Sequence, residues 1–449
     1  MKTAPDLRDT ARRLMAQARA DLETLVRIPS VSHAGFEAKH VKDSAAATAE
    51  ILRATGLETK ILEVEGAHPA VLGRIPAPPG APTVLLYAHH DVQPTGPLDL
   101  WHTKPFEPVE KDGRLWGRGT SDDKCGVVLH AAAVRAFEGR PPVGVTVFVE
   151  GEEEAGSPNL AKFLDRHAGE LRADAVILAD SGNWRVGQPA LTTSLRGIVD
   201  CVVEVRTLDH AVHSGEYGGA VPDAIIALAR TLARLHDDKG NVAVPGLVTG
   251  PSDPLDLTED ELRAWTGARP GVELIGDGGL TERMWTRPAI SVLGLDAPRV
   301  AESTNQLVPS ARAKVSMRLA PGEEPDRALD ALVAHLRKSV PWGAQATITK
   351  GSRGRPYRLE AKGPAFDAMR RAMSEAWGRA PVDMGAGGSI PFVADFARLM
   401  PDAALLLTGA ADPTSNAHSE DESVDLGELE RSILAESLFF RYLAEAKRA

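Results

Sequence analysis

Cysteine is nearly absent from this chain: only Cys125 and Cys201 occur among 449 residues. Two thiols build no disulfide framework, so a reducing compartment, the cytoplasm, is the expected location. Long apolar runs are missing as well. A membrane-spanning helix needs roughly 18 or more consecutive apolar residues, and the AALLL run at 403–407 is far shorter. Residues 1–20 carry charges throughout, without the apolar block that follows the basic start of a secretory signal. Neither export nor a membrane partner is expected. There is no basic excess either: 51 Lys+Arg against 62 Asp+Glu leave a net charge of −11. A phosphate backbone would be repelled on average, so no nucleic-acid partner is expected. GRGTSDDK (117–124) lacks the Gly-Lys-Ser/Thr ending of a phosphate-cradling loop, and GGSIP (387–391) has no Lys. Around AGGSIPF there is no Gly-x-Ser-x-Gly, which argues against a serine triad.

What remains is a globular composition, 43% hydrophobic and 25% charged. An amphipathic stretch from Leu7 to Ile28 predicts a helix stopped by Pro29. Four short apolar runs bounded by turn residues read as buried strands: TVLLYA (83–88), VTVFVE (145–150), AVILA (175–179) and AALLL (403–407). Helical patterns separate them, GVVLHAAAVRAFEG (126–139) among them with Gly139 as its stop, and the alternation predicts an open, mostly parallel α/β sheet. The middle of the chain reads differently. Strand-like 196–206, 288–295, 311–319 and 346–350 alternate with helix-like 222–237 and 325–340, the split βαβ order of a two-layer α+β domain. The helix at 222–237 is read as opening on its Pro, and a long polar insertion covers about 238–287. Because an apolar run of the first sheet returns only at 403, the small domain is inserted in the large one. The expected boundaries are 1–194 and 354–449 for the catalytic domain and 195–353 for the inserted lid.

Metal-ligand residue types follow each apolar run of the larger domain. His89, His90 and Asp91 follow the first run, Glu152, Glu153 and Glu154 the second, Asp180 the third, and His418, after a loop, the fourth. Ligands bind open α/β sheets at the carboxyl ends of the strands. Alternation puts His89 and Asp91 on one side, so Asp91 is placed to orient the imidazole through its second nitrogen. Adjacent Glu153 and Glu154 point apart in an extended chain, but a turn at Gly151 or Gly156 brings both to one pocket, one to bind metal and one to take protons. Asp122 and Asp123 precede a helix, where a carboxylate meets the positive end of the dipole. Taken singly, HHD reads as a surface loop, GEEEAG as a solvated charge run, Asp122 as a helix cap and Asp180 as a turn residue. Together they would repel one another unless cations were present. His and carboxylate donors without thiolate suit zinc, manganese or cobalt, and such ions with a nearby Glu make hydrolysis the natural reaction.

In this order AHHDVQP, LWGRGTSDDK, EGEEEAGS, LADSGNW, HSGEYGG, GGSIP and NAHSEDE resemble the di-zinc metallopeptidase family that includes aminoacylase, succinyl-diaminopimelate desuccinylase and glutamate carboxypeptidase. The branch most resembled is that of carnosinase and cytosolic non-specific dipeptidase. The resemblance implies two divalent ions, zinc first, with manganese or cobalt as other fits. His89 and Asp180 would hold one ion, Glu154 and His418 the other, and Asp122 would bridge them, with a cis Asp122–Asp123 peptide bond. Asp91 would orient His89, and Glu153 would be the general base acting on the bridging water. His213 would reach across a lid-mediated homodimer to the partner's oxyanion. Arg318, Gly388 and Ser389 would receive the substrate's C-terminal carboxylate. Cys125, where relatives often have Gly, reads as a small buried residue. The expected activity is hydrolysis of dipeptides with a free C-terminus. The alternatives are an amidohydrolase acting on N-acyl or N-carbamoyl amino acids and a non-catalytic peptide-binding dimer scaffold.

Overall fold

The most apolar runs of the sequence form the centre of the fold, because both their faces are covered. In the computed structural model, which describes residues 4–388 and 391–447, every residue of the Gly144–Glu150 strand is buried. So is every residue of Thr83–His89 except the first. The chain divides into two units. The first comprises the chain up to Thr193, Leu359–Met384, and Pro391 onward; the second comprises Ser194–Arg358 and residues 385–388.

In the first unit the strand order is Glu58–Leu62, Ala70–Ile75, Gly144–Glu150, Thr83–His89, Ala175–Leu178, Ala404–Leu407, Ala190–Leu195. The Thr83–His89 strand pairs parallel with both of its neighbours, and Ala175–Leu178 pairs parallel with Ala404–Leu407. The outer pairings are antiparallel. Register brings the carboxyl ends level, with His89 opposite Glu150, Tyr87 opposite Leu178 and Leu178 opposite Leu407. The four runs therefore deliver their following residues to one edge of the sheet.

Helices cover the sheet as the periodicity predicts, with shifted ends. The first runs Ala4–Val26. The helix expected over 126–139 runs Lys124–Arg135, with Cys125 fully buried inside its first turn. Gly139 closes the turn beyond it at φ 73°. The Leu426–Ala446 helix is buried over most of its length. No helix among the described residues is long and apolar enough to cross a membrane.

The second unit is a four-stranded antiparallel sheet in the order Ala289–Asp296, Ser310–Leu319, Gly197–Arg206, Gln345–Gly354. Helices Ala224–Ala233 and Pro325–Ser339 supply their apolar faces to its core, Leu228, Leu329 and Leu336 against Val203, Val315 and Met317. The first of these helices does not open on proline. Asp223 caps it by accepting from the Ile226 amide at 2.9 Å, which leaves Pro222 outside. The polar insertion contains a two-turn helix, Glu259–Thr266, started by a reciprocal Thr258/Glu261 capping box.

Candidate metal centre

Asp91 organises the edge. Its carboxylate is fully buried and accepts from Ser32 Oγ at 2.6 Å, the Glu154 amide at 3.0 Å and the Glu153 amide at 3.2 Å. Residues 153–155 form a single 3-10 turn closed by Gly156 at φ 88°, so both glutamates leave the extended conformation and enter the same site. His89 Nδ1 donates to the Asp91 main-chain oxygen at 3.1 Å and stands 3.4 Å from its carboxylate. The orienting contact expected of the side chain is thus shared with the backbone. Either way Nδ1 is occupied, and Nε2 is the nitrogen that faces the site.

Asp122 divides its two oxygens. Oδ1 lies 3.0 Å from His89 Nε2, and Oδ2 lies 2.9 Å from His418 Nε2. Glu154 Oε2 is 3.2 Å from the same His418 nitrogen and accepts from Gln93 Nε2 at 2.7 Å. Glu153 Oε2 is 4.0 Å from His89 Nε2. The donor atoms of His89, Asp122 and Glu154 lie within 4.8 Å of one another, as do those of His89, Glu153 and Asp180. Asp122 does not act as a cap, since the helix at Lys124 has no side-chain cap and the Asp122 carboxylate faces two imidazoles, and Glu154 is buried rather than part of a solvated charge run. The Asp122–Asp123 peptide is cis.

The electrostatics fit a cation. Burial, reinforced by Asp122 and Glu153, pushes the Asp180 carboxyl far above the ordinary range. Burial with Glu154, Asp122 and Asp91 nearby raises Glu153 to about 8, and burial with Asp122 raises Glu154. Hydrogen bonds to Asp122 and Glu154 lift His418 to about 11. Burial opposes the charge on Asp122, but His418 and His89 hold its carboxyl well below the usual value. Without a metal, protons on imidazoles and carboxyls carry the compensating positive charge; a divalent ion does so without them.

The adjacent glutamate and histidine have other work. Glu152 is buried and accepts from the Asn159 amide at 2.9 Å and the His68 amide at 3.1 Å. His90 is buried with Nε2 donating to Pro69 O at 3.0 Å, and burial lowers it to about 4, so it is neutral. Sequence reasoning missed Ser32, Gln93, Arg118 and Glu422. All four act on residues 59 to 304 positions away; Gln93, Arg118 and Glu422 fell inside quoted motifs without a task, and Ser32 fell inside none.

The remaining site residues belong to the second unit. His213 is exposed, its Nδ1 accepting from the Gly215 amide at 3.1 Å, which places the proton of the neutral ring on Nε2. Arg318 is half-buried on the Ser310–Leu319 strand. Burial lowers Arg196, 6% exposed, to about 10, and the charge of Arg318 adds to that shift. Gly388 is exposed; Ser389 lies outside the described residues.

Imidazoles and carboxylates converging at the carboxyl edge of a parallel sheet bind divalent metal, and the class they define is that of metal-dependent hydrolases. A sequence profile of Peptidase family M20/M25/M40 matches residues 85–441, and the chain belongs to that family. It is 36% identical over 368 residues to the cysteinylglycine-S-conjugate dipeptidase of Corynebacterium striatum, covering 80% of each chain. It is 28% identical over 381 residues to the Beta-Ala-His dipeptidase of Rattus norvegicus, covering 80% of this chain and 76% of that one. The solved structure of the dipeptidase Dug1p from Saccharomyces cerevisiae shares its fold, with a TM-score of 0.86 at 24% identity over 99% of both chains. The chain is a metallopeptidase of the carnosinase and non-specific dipeptidase branch.

Proposed function

We propose that this metal-dependent dipeptidase cleaves the single peptide bond of dipeptides whose C-terminal carboxylate is free, using two zinc ions per chain. The observation that carries the reading is the split of Asp122, one oxygen toward His89 and the other toward His418. His89 and Asp180 serve one ion, Glu154 and His418 the other, and Asp122 both. Bound there, the ions supply Lewis acidity to the scissile carbonyl and make water acidic enough to attack near neutral pH.

The protein's own groups do the rest. Glu153 takes the proton of the attacking water and returns it to the departing amine, a role its position beside the ligands and its raised pKa both support. Asp91 holds His89 in the tautomer that presents Nε2. His213 donates from Nε2 to the developing oxyanion of a partner chain in a homodimer formed through the lid unit. Arg318, with Gly388 and Ser389, takes the substrate carboxylate, and a guanidinium suits that planar anion. The similar proteins named for cysteinylglycine conjugates and for Beta-Ala-His support dipeptides as the substrate class. Cys125 and Cys201, both free and buried, fit the reducing cytoplasm.

The test is a panel of dipeptides, their C-terminal amides and N-acyl amino acids, assayed on chelated protein before and after adding zinc or manganese. The proposal expects turnover of free dipeptides restored by metal. Activity confined to N-acyl amino acids would make the chain an amidohydrolase.

A further inference from the structure

Beneath the Asp122 loop lies a carboxylate to which the chemistry above gives no task. Glu422 is fully buried. Its Oε1 accepts from the Ser121 amide at 2.9 Å, Ser121 Oγ at 2.9 Å and the Asp122 amide at 3.0 Å. Its Oε2 accepts from the Gly119 amide at 2.9 Å and from Arg118 Nη1 at 2.8 Å. Its main-chain oxygen accepts from the Gly117 amide at 2.8 Å. The tight path of this loop is visible at Gly119, where φ is 85° and a Cβ would stand 2.6 Å from Val92.

Neutralising buried Arg118 would need only one of the two oxygens. Among the described residues, the hydrogen bonds of Oε1 go to Ser121 and Asp122, and the guanidinium's bond to this carboxylate goes to Oε2. Glu422 also lies four residues after His418, whose Nε2 faces Asp122 Oδ2 at 2.9 Å. A single side chain therefore ties the loop carrying the shared carboxylate to the segment carrying one of its imidazoles.

We propose that Glu422 is a positioning residue, setting where the Asp122 carboxylate stands between His89 and His418 and so how tightly the site holds its cations. This rests on the reading of Asp122 as the shared ligand. Residues that orient metal ligands typically change affinity or activity by about 10–100-fold when replaced. Glu422→Gln keeps the volume but turns an amide N–H toward groups that are themselves donors.

The experiment loads the chelated full-length protein with cobalt(II) and records binding stoichiometry, affinity, visible absorption, kcat and KM for a dipeptide, and the thermal midpoint without metal. Glu422→Gln is expected to weaken cobalt binding at least about tenfold, shift the visible band, and lower kcat more than it alters KM. Arg118→Lys perturbs the same buried pair from the Oε2 side. It is expected to lower the metal-free midpoint while leaving the cobalt spectrum as it is. Equal losses of midpoint in both variants, with neither spectrum nor kcat altered at saturating metal, would overturn the proposal and leave Glu422 a structural ion pair. If Glu422→Gln does not fold, Ser121→Ala removes one Oε1 donor. A two- to fivefold loss of cobalt affinity supports the assignment, and unchanged affinity overturns it. Asp122→Asn in the same titration separates the two levels. If it still binds the full complement, the shared-ligand reading fails, independently of anything seen at Glu422.

Discussion

Replacing Glu153 by Gln removes a proton acceptor while keeping its shape, and the geometry fixes what should follow. The Glu153 carboxylate stands 4.0 Å from His89 Nε2, against 3.0 Å for Asp122, so the ligands proper survive the change. The neighbouring carboxylates have other partners: Asp91 is committed to Ser32 and two amides, Glu154 to Gln93 and His418, and Asp122 to both imidazoles, while Asp180, grouped with His89 and Glu153, is the proposed metal ligand. The side chain is only 16% exposed, so bulk water is a poor replacement. General acid–base catalysis contributes about 10²–10⁴-fold, and at about 1.4 kcal/mol per tenfold the loss is about 3–6 kcal/mol of transition-state stabilisation. Steady-state kinetics on a dipeptide, with metal content measured on the same sample, should give kcat down by that factor and an unchanged ion count. A variant within tenfold of the parent refutes the base assignment. Loss of an ion makes Glu153 a ligand instead, a role its proximity to His89 and Asp180 keeps distinct and testable.

His213→Ala should lower kcat while leaving metal content unchanged, and mixing it with Glu153→Gln should restore some activity if the imidazole serves the partner chain; mixtures as inactive as their components contradict that. Arg318→Ala should raise KM for free dipeptides far more than for their C-terminal amides, and equal changes would remove it from carboxylate recognition. Glu150 gives a pH test. Its carboxyl is raised by burial from 4.5 to about 8 and accepts from Tyr87 Oη at 2.8 Å. A carboxyl whose folded pKa is raised contributes fully below its unfolded value and loses that contribution as pH climbs through 8, an amplitude on the order of 5 kcal/mol. Metal-free Glu150→Gln should therefore match the parent near pH 4 and melt higher at pH 9; identical midpoints at both pH values would refute the burial cost.

The parallel core was legible because strands covered on both faces must be apolar throughout. TVLLYA, VTVFVE, AVILA and AALLL carry no alternation to confuse with a surface strand. The convergence of His89, Glu153, Glu154 and Asp180 was legible for a related reason: at the carboxyl end of such a strand the chain must turn polar, and a His or a carboxylate there has a fixed address. The supports were not legible. Ser32 reaches Asp91 across 59 positions and Glu422 reaches Ser121 across 301, and no local pattern encodes such pairing. Glu422 also sat beside Glu420 and Asp421, where composition alone reads three solvated acids; only burial separates it from them. The start of the Ala224–Ala233 helix was misplaced because Pro222 reads as an N1 proline when the next residue's carboxylate, which caps the helix, is not weighed.

The proposed centre is a pair of ions sharing Asp122. Crystals of the zinc-loaded protein, measured at energies on both sides of the zinc absorption edge, address it directly. Two anomalous peaks per chain are expected to flank the Asp122 carboxylate, one beside His89 and Asp180 and the other beside Glu154 and His418. A single peak, or zinc bound away from Asp122, contradicts it.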